Sequence, residues 1–230
     1  MSIDGGPDII KDGLVMCLDA GNRNSYNSGS GTWFDLSGNG CNATLQNGPT
    51  FNSSNSGYIA FDGTNDYADL ANPSKITGNQ VSCCMWVHPQ VLDGASIIWL
   101  SASQKRFFQV HLPFGGTVFF DASNDIGGGY DRISFSFDSA YRGLKYWTFI
   151  KNSTAGTMTA YVNGVLVASG TGLNRPVGVP DYGVIANLPS FSGGSGYNNT
   201  RLYSMQFYNK ALSAAEIQQN YHANKGRFGL

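Results

Sequence analysis

The chain of 230 residues is poor in charge. Asp, Glu, Lys and Arg make up 13% of it, about half the share in an ordinary soluble domain. The formal net charge is −1. Binding nucleic-acid phosphates requires clustered Lys and Arg, so no nucleic-acid partner is expected. Glutamate is scarcer still, with Glu216 alone in the chain. No window approaches the ~20 apolar residues of a spanning helix, so no membrane partner is expected. The opening MSIDGGPDIIKDGL has neither a basic n-region nor a long apolar core, and does not read as a secretory signal. Cys17, Cys41, Cys83 and Cys84 lack metal-site spacing, and Cys83 and Cys84 point to opposite faces of a strand. They read as reduced thiols used as small hydrophobes, with a Cys17–Cys41 bridge left open. His88, His111 and His222 are far apart in sequence, which suits neither a zinc site nor a hydrolase triad. There is no G-x-S-x-G and no Walker loop. Gly127-Gly128-Gly129 lacks the strand–turn–helix context of a phosphate cradle.

What the chain does have is glycine and aromatics: 30 Gly, 12 Tyr and 14 Phe. This suits many strands joined by tight turns. The strongest local signal is Tyr161-Val162-Asn163-Gly164-Val165-Leu166. Asn-Gly tolerates the positive φ that both central residues of a type I′ turn require. A two-residue loop sets Val162 against Val165, Ala160 against Val167, and Met158 against Ser169 on the core face. Tyr161, Leu166, Thr159 and Ala168 take the other face. A second turn at 152–156 adds Trp147-Thr148-Phe149-Ile150 and completes a three-strand meander.

Further strands are expected at 14–18, 58–61, 67–70, 81–88, 95–100, 107–112, 118–121, 133–138, 182–186 and 201–209. Residues 19–40 read as one long polar loop, packed by its own aromatics or functional. Roughly a dozen strands with turn punctuation predict an all-β, two-sheet antiparallel sandwich. One short C-terminal α-helix is expected. Ser213 and Glu216 form a capping box, Leu212 and Ile217 a hydrophobic staple, and Gly226 the C′ stop. Ile217 and Tyr221 should dock on the sandwich edge. At this size one large domain is expected over 13–226, between an N-terminal arm (1–12) and a C-terminal tail (227–230).

The segments FDGTNDYADL, SCCMWVHP, YWTFIKNSTAGTMTAYVNGVLVASG and RLYSMQFYNKALSAAEIQQNYHANKGRFGL occur in that order. In this order the chain resembles the laminin-G-like, concanavalin-A-like jelly-roll domains, from about Gly13 to Gly226. Its two ends look like the version found in virion proteins of tailed bacteriophages. The resemblance implies a jelly-roll fold. It also implies a capsid decoration or tail-fibre component that assembles in the host cytoplasm, sits on the virion surface and works by protein–protein contact as a homo-oligomer. The alternative is a lectin-like module that binds host-surface glycans.

Concanavalin-A-like folds also house glucanases, which need two carboxylates about 5 Å apart. The single Glu216 is explained by the helix cap, so no enzyme activity and no required cofactor are expected. Related sandwiches carry calcium at loop ends. The candidate oxygen ligands here are Asp62, Asn65 and Asp66, helped by Asp19 or Asp35. The alternative for these residues is side-chain-to-backbone turns around Gly63. A sugar site would use exposed aromatic rings. The loop candidates are Tyr26, Trp33, Tyr130, Tyr141, Tyr182, Phe191 and Tyr197, whereas Trp86, Trp99 and Trp147 fall in strands and read as core.

Overall fold

The computed structural model of the protein describes residues 7–102, 105–124, 129–190 and 196–230. Its strands are β1 (Leu14–Asp19), β2 (Thr32–Trp33), β3 (Ala43–Gln46), β4 (Thr50–Asn52), β5 (Tyr58–Asp62), β6 (Tyr67–Leu70), β7 (Gln80–Pro89), β8 (Ser96–Ser101) and β9 (Phe108–Phe114). They continue as β10 (Thr117–Ala122), β11 (Asp131–Ser136), β12 (Lys145–Asn152), β13 (Thr157–Val162), β14 (Val165–Thr171), β15 (Tyr182–Ile185), β16 (Asn187–Leu188), β17 (Gly196–Tyr197) and β18 (Asn199–Tyr208), and the helix α1 spans Ala214–Lys225. The first sheet runs β14-β13-β12-β7-β18-β5-β4, with β1 also on β18. The second runs β11-β10-β9-β8-β15-β6-β3-β2, and β16 and β17 form a small ribbon. The two sheets make the antiparallel sandwich that the alternating pattern predicts.

Between the sheets lies one apolar core. Ile59, Met85, Trp147, Phe149 and Phe207 come from the first sheet, and Ile98, Phe108, Val110, Phe120 and Ile185 from the second. Phe120 meets Phe149 at 5.4 Å and Phe108 meets Phe207 at 5.3 Å, so ring contacts tie the two layers together. The turn at Asn163-Gly164 has the expected positive φ at both residues, and Val162 pairs with Val165. The register then departs from expectation. Ala160 pairs with Ala168 and Met158 with Gly170, because a bulge intervenes between Ala160 and Tyr161. One extra residue on β14 flips every later side chain. Val167 and Ala168 both lean on the core as a result, while β13 keeps Met158, Ala160 and Val162 buried.

The segment 19–40 is not a pure loop, since it contains β2, and β3 and β4 follow it. These strands of two to four residues carry too little periodicity to be seen before their partners β5 and β6 are known. The rest of the segment is pinned by side chains: Ser25 Oγ donates to Phe34 O at 2.6 Å, and Asp35 accepts from Cys17 N at 2.8 Å. All four cysteines are free and buried. Burial pushes the Cys17 thiol up to about 12 and the Cys41 thiol to about 11.

The capping box forms as expected. Gly226 does not end the helix in a left-handed conformation. At φ −61° it continues into a 3-10 turn, and Gly229 at φ 70° makes the stop. The helix also docks on a face rather than an edge. Ile217 and Tyr221 cover Trp86, Tyr146 and Tyr203 on the outer side of the first sheet. Residues 7–12 fold back on the same region. Asn220 Oδ1 accepts from Ile10 N at 2.7 Å, and Lys210 pairs with Asp12 at 2.6 Å. The outer face of the first sheet around Trp86 is thus occupied by the chain itself, while Leu166 on the edge strand β14 stays exposed.

Candidate functional site

The second sheet has a different outer side. Arg132, Asp121, Gln109, Trp99, Val184, Asp69 and Thr44 stand opposite one another, in succession, across β11, β10, β9, β8, β15, β6 and β3. Successive side chains alternate faces in a strand. This row therefore points away from the core residues Ile133, Phe120, Val110 and Ile185 that flank it in sequence. Most of the row is polar, and its centre is covered: Asp121, Gln109, Trp99 and Val184 are all almost fully buried, so the accessible groups lie at its ends. Gln109 Oε1 and Ser101 Oγ, also buried, have no hydrogen-bond partner among the described residues. Buried polar atoms of this kind are costly unless something satisfies them.

Three of the rings nominated from sequence come to this face. Tyr182 and Tyr67 precede Val184 and Asp69 by two residues and share their side of the sheet. Tyr197 lies 6.2 Å from Tyr67. Burial pushes the Tyr182 hydroxyl up to about 12, and nearby Asp69, Tyr67 and Tyr197 add to the rise. Tyr130 marks the opposite end, 43% exposed, with the guanidiniums of Arg106 and Arg132 at 4.8 and 4.9 Å from its ring.

His111 also belongs to this face, in contact with the Gln109 amide and 3.4 Å from Ser96 Oγ. Burial pushes its imidazole down to about 4, against an ordinary 6.5. Between those values the unfolded chain binds the extra proton. Stability is therefore fully present above pH ~6.5 and falls as pH drops toward 4, by about 3 kcal/mol in all. Denaturation from pH 7 to 4 should show that slope, and His111→Gln should flatten it. An unchanged slope in the variant would assign the acid loss to other groups.

The remaining nominated rings do not join them. Trp33 is fully buried in the core and has no face for a ligand, contrary to the expectation of an exposed loop ring. Its strand pairing with β3 turns it inward. Tyr26 is 5% exposed and packs on Phe51 at 5.2 Å. It borders a separate cleft of about 760 Å³ with Arg23, Asn27, Ser28 and Ser53. Tyr141 packs edge-on against Trp147 at 5.4 Å. Phe191 and Gly127-Gly128 lie outside the described residues. Sequence reasoning missed Arg106, Gln109, Asp121 and the outward placement of Trp99. The outward phase of β10, Phe119 and Asp121, was a usable signal, but the row needs the inter-strand register.

The calcium candidates are engaged in local turns. Asp62 Oδ1 accepts from Thr64 N at 2.7 Å, and that bond first of all holds its carboxyl below the usual range. Asp66 accepts from Asp62 N at 3.1 Å. Asp19 forms a bidentate pair with Arg227, and Asp35 serves the amides of Cys17, Ser37 and Cys41. Among the described residues no group of three or more His, Cys, Asp or Glu could hold a metal ion. His88, His111 and His222 sit on the first sheet, the second sheet and the helix. Glu216 is bonded to Lys210 at 2.6 Å, which first of all lowers its pKa, and to Ser213 N at 2.8 Å, which adds to the shift.

No curated protein matches the chain. Solved structures do. The receptor binding domain of botulinum neurotoxin C/D mosaic serotype superposes with a TM-score of 0.70 at 16% identity, over 92% of this chain and 51% of that one. The binding domain of Paraclostridial Mosquitocidal Protein 1 gives 0.70 at 16%, over 92% and 52%. The binding domain of botulinum neurotoxin DC in complex with SialylT gives 0.70 at 13%, over 92% and 51%. The chain spans about half the length of these structures, and at such identities the likeness carries the fold alone. All three are clostridial binding domains, so they lend nothing to the virion resemblance of the chain's ends. The laminin-G family model described as the concanavalin A-like lectin/glucanases superfamily matches residues 62–218, and the chain belongs to that family.

Proposed function

We propose that this protein is a non-enzymatic carbohydrate-binding module whose ligand lies on the outer face of the second sheet. The observation that carries the reading is that Tyr130, at one end, and Tyr182 and Tyr197, at the other, stand on the same face of the second sheet, beside polar strand side chains. Aromatic rings offer flat apolar area to a sugar ring at low entropic cost, and neighbouring amides and carboxylates meet its hydroxyls. The titles of two solved relatives name glycans, SialylT and gangliosides, which supports the same use of the fold. A glycosidase would need a pair of Asp or Glu carboxylates across a substrate; Glu216 is committed to the helix cap and Lys210, and Asp62 and Asp66 to their turn.

The virion-component reading stands behind this one. It would use an apolar outer sheet face or the N-terminal arm for assembly. The outer face of the first sheet around Trp86 is covered by α1, and residues 7–12 are bonded to the chain's own helix region. Calcium at Asp62, Asn65 and Asp66 would require those residues to leave their turn.

The test is a glycan array over bacterial-surface and animal glycans. The wild type should give discrete hits. Tyr182→Ala and Tyr197→Ala should each weaken them about tenfold. Tyr26→Ala, at the separate cleft, should leave them intact. A blank array, or loss of binding through Tyr26→Ala alone, would refute the assignment.

A further inference from the structure

If the outer face of the second sheet binds glycans, the charge at its β10–β11 end sets which glycans. Two guanidiniums converge there on one carboxylate. Asp121 is fully buried, and Arg132 lies directly across from it in register. Arg132 donates from Nε at 2.6 Å and from Nη2 at 2.7 Å, while Arg106 donates from Nη1 at 3.3 Å. Each guanidinium carries about five N–H donors, so Asp121 takes a minority of them. The side chains of Arg106 and Arg132 remain 29% and 34% exposed. No other carboxylate is bonded to either arginine among the described residues. The neighbouring His111 is neutral, so the cluster carries one excess positive charge.

The cluster is also rigid. Arg106 lies over Tyr130 and, at 5.6 Å, over Trp99, and Arg132 lies over Phe119 at 4.7 Å. A guanidinium packed on an aromatic ring and anchored to a buried carboxylate loses little freedom when it takes up a second anion. Both have N–H donors to spare, and a planar fork matches a carboxylate.

We propose that Arg106 and Arg132 form an acidic-sugar subsite, which selects glycans bearing a carboxylate, such as a uronic or sialic acid. Tyr130, 43% exposed beside both guanidiniums, offers its ring to the neutral part of the ligand. Asp121 acts as a positioning residue that holds both arginines.

The test uses a sialylated and a hexuronate-containing oligosaccharide, their carboxyl-reduced forms and a sulfated counterpart, titrated into the intact protein at low and high salt. The better acidic form should bind at least about tenfold more tightly than its reduced form, with the preference shrinking as salt rises. Arg106→Gln leaves Asp121 paired to Arg132, so the fold should survive, and it should remove most of the preference. Arg132→Lys keeps a cation on Asp121 but loses the fork, and should do the same. Equal binding of acidic and reduced forms, tighter binding of the sulfated form, or an undiminished preference in Arg106→Gln would each overturn the subsite. Neutral binding that is lost in Tyr182→Ala would keep the glycan reading and refute only the acidic one. No binding to any probe would refute both.

Discussion

Replacing Lys151 with alanine is expected to cost about 3 kcal/mol of stability, among the largest effects of any single polar change in the chain. Lys151 follows Trp147 and Phe149 at two-residue spacing on β12, and so its side chain enters the core from the first sheet. It is fully buried, and its ammonium meets Asp131 of β11 at 2.5 Å and the Leu173 carbonyl at 2.7 Å. Burial lowers its pKa and Asp131 opposes that shift. The pair therefore bridges the two sheets. Removing the cation leaves a carboxylate whose side chain is only 11% exposed with one remaining cation, the Arg175 guanidinium at 3.8 Å. Asp131 keeps the Arg175 amide at 2.9 Å, which places the cost toward the lower end of the range for a broken buried pair. Urea denaturation of Lys151→Ala reads it directly. Lys151→Met with Asp131→Leu should recover most of the loss, because two well-packed apolar groups need no ionic partner. A single-variant cost below about 1 kcal/mol would mean that water reaches the pair. The bridge has a second consequence. Asp131 lies between Tyr130 and Arg132, so loosening it should also weaken binding of acidic probes.

How much of this was legible in the sequence depends on the range of the information. The Asn163-Gly164 turn and the Ser213–Glu216 capping box are local chemistry, and both stand where the letters place them. The bulge in β14 is not local. Whether Val167 or Ala168 opposes Ala160 depends on β13 packing against β12, which a two-residue loop rule does not contain. Strands β2 to β4 fail for the same reason. Thr-Trp and Thr-Phe-Asn become strands only because β3 and β5 offer free edges.

The site divides in a similar way. Tyr130, Tyr182 and Tyr197 could be nominated because a ring in a polar loop is anomalous. Trp33 looked the same and is buried, since nothing in its neighbours distinguishes a loop ring from the start of a strand that turns inward. Arg132, Asp121, Gln109 and Trp99 are unremarkable one at a time. They become a row only through three successive registers, each set by a different hairpin. The Lys151–Asp131 bridge is invisible for a further reason: a lysine in an apolar strand reads as a solvent-facing end until the opposite sheet supplies its carboxylate.

Trp86→Ala should produce the other large loss, about 3–5 kcal/mol, and it also separates the two faces of the molecule. Trp86 is fully buried on the outer side of the first sheet. Its ring meets Phe228 at 4.6 Å, Tyr146 at 5.3 Å and Tyr221 at 5.7 Å, so it is the surface on which α1 and the following turn rest. Ile217 and Tyr221 are the only large apolar side chains of the helix, and twelve residues without tertiary support are marginal in water. Truncating the indole should lower the melting temperature by about 10 °C. Amide exchange should accelerate across Ala214–Lys225 before the sandwich strands lose protection. Protection of α1 that stays at wild-type levels would show that Ile217 alone holds it. The same variant tests where the ligand sits. Below its melting temperature the second sheet is untouched, so glycan binding should persist within about twofold of wild type, the scatter of a neutral distant change. Loss of binding in a folded Trp86→Ala protein would move the ligand to the helix-covered face, and the tyrosine row with its two arginines would then have to be explained by packing alone.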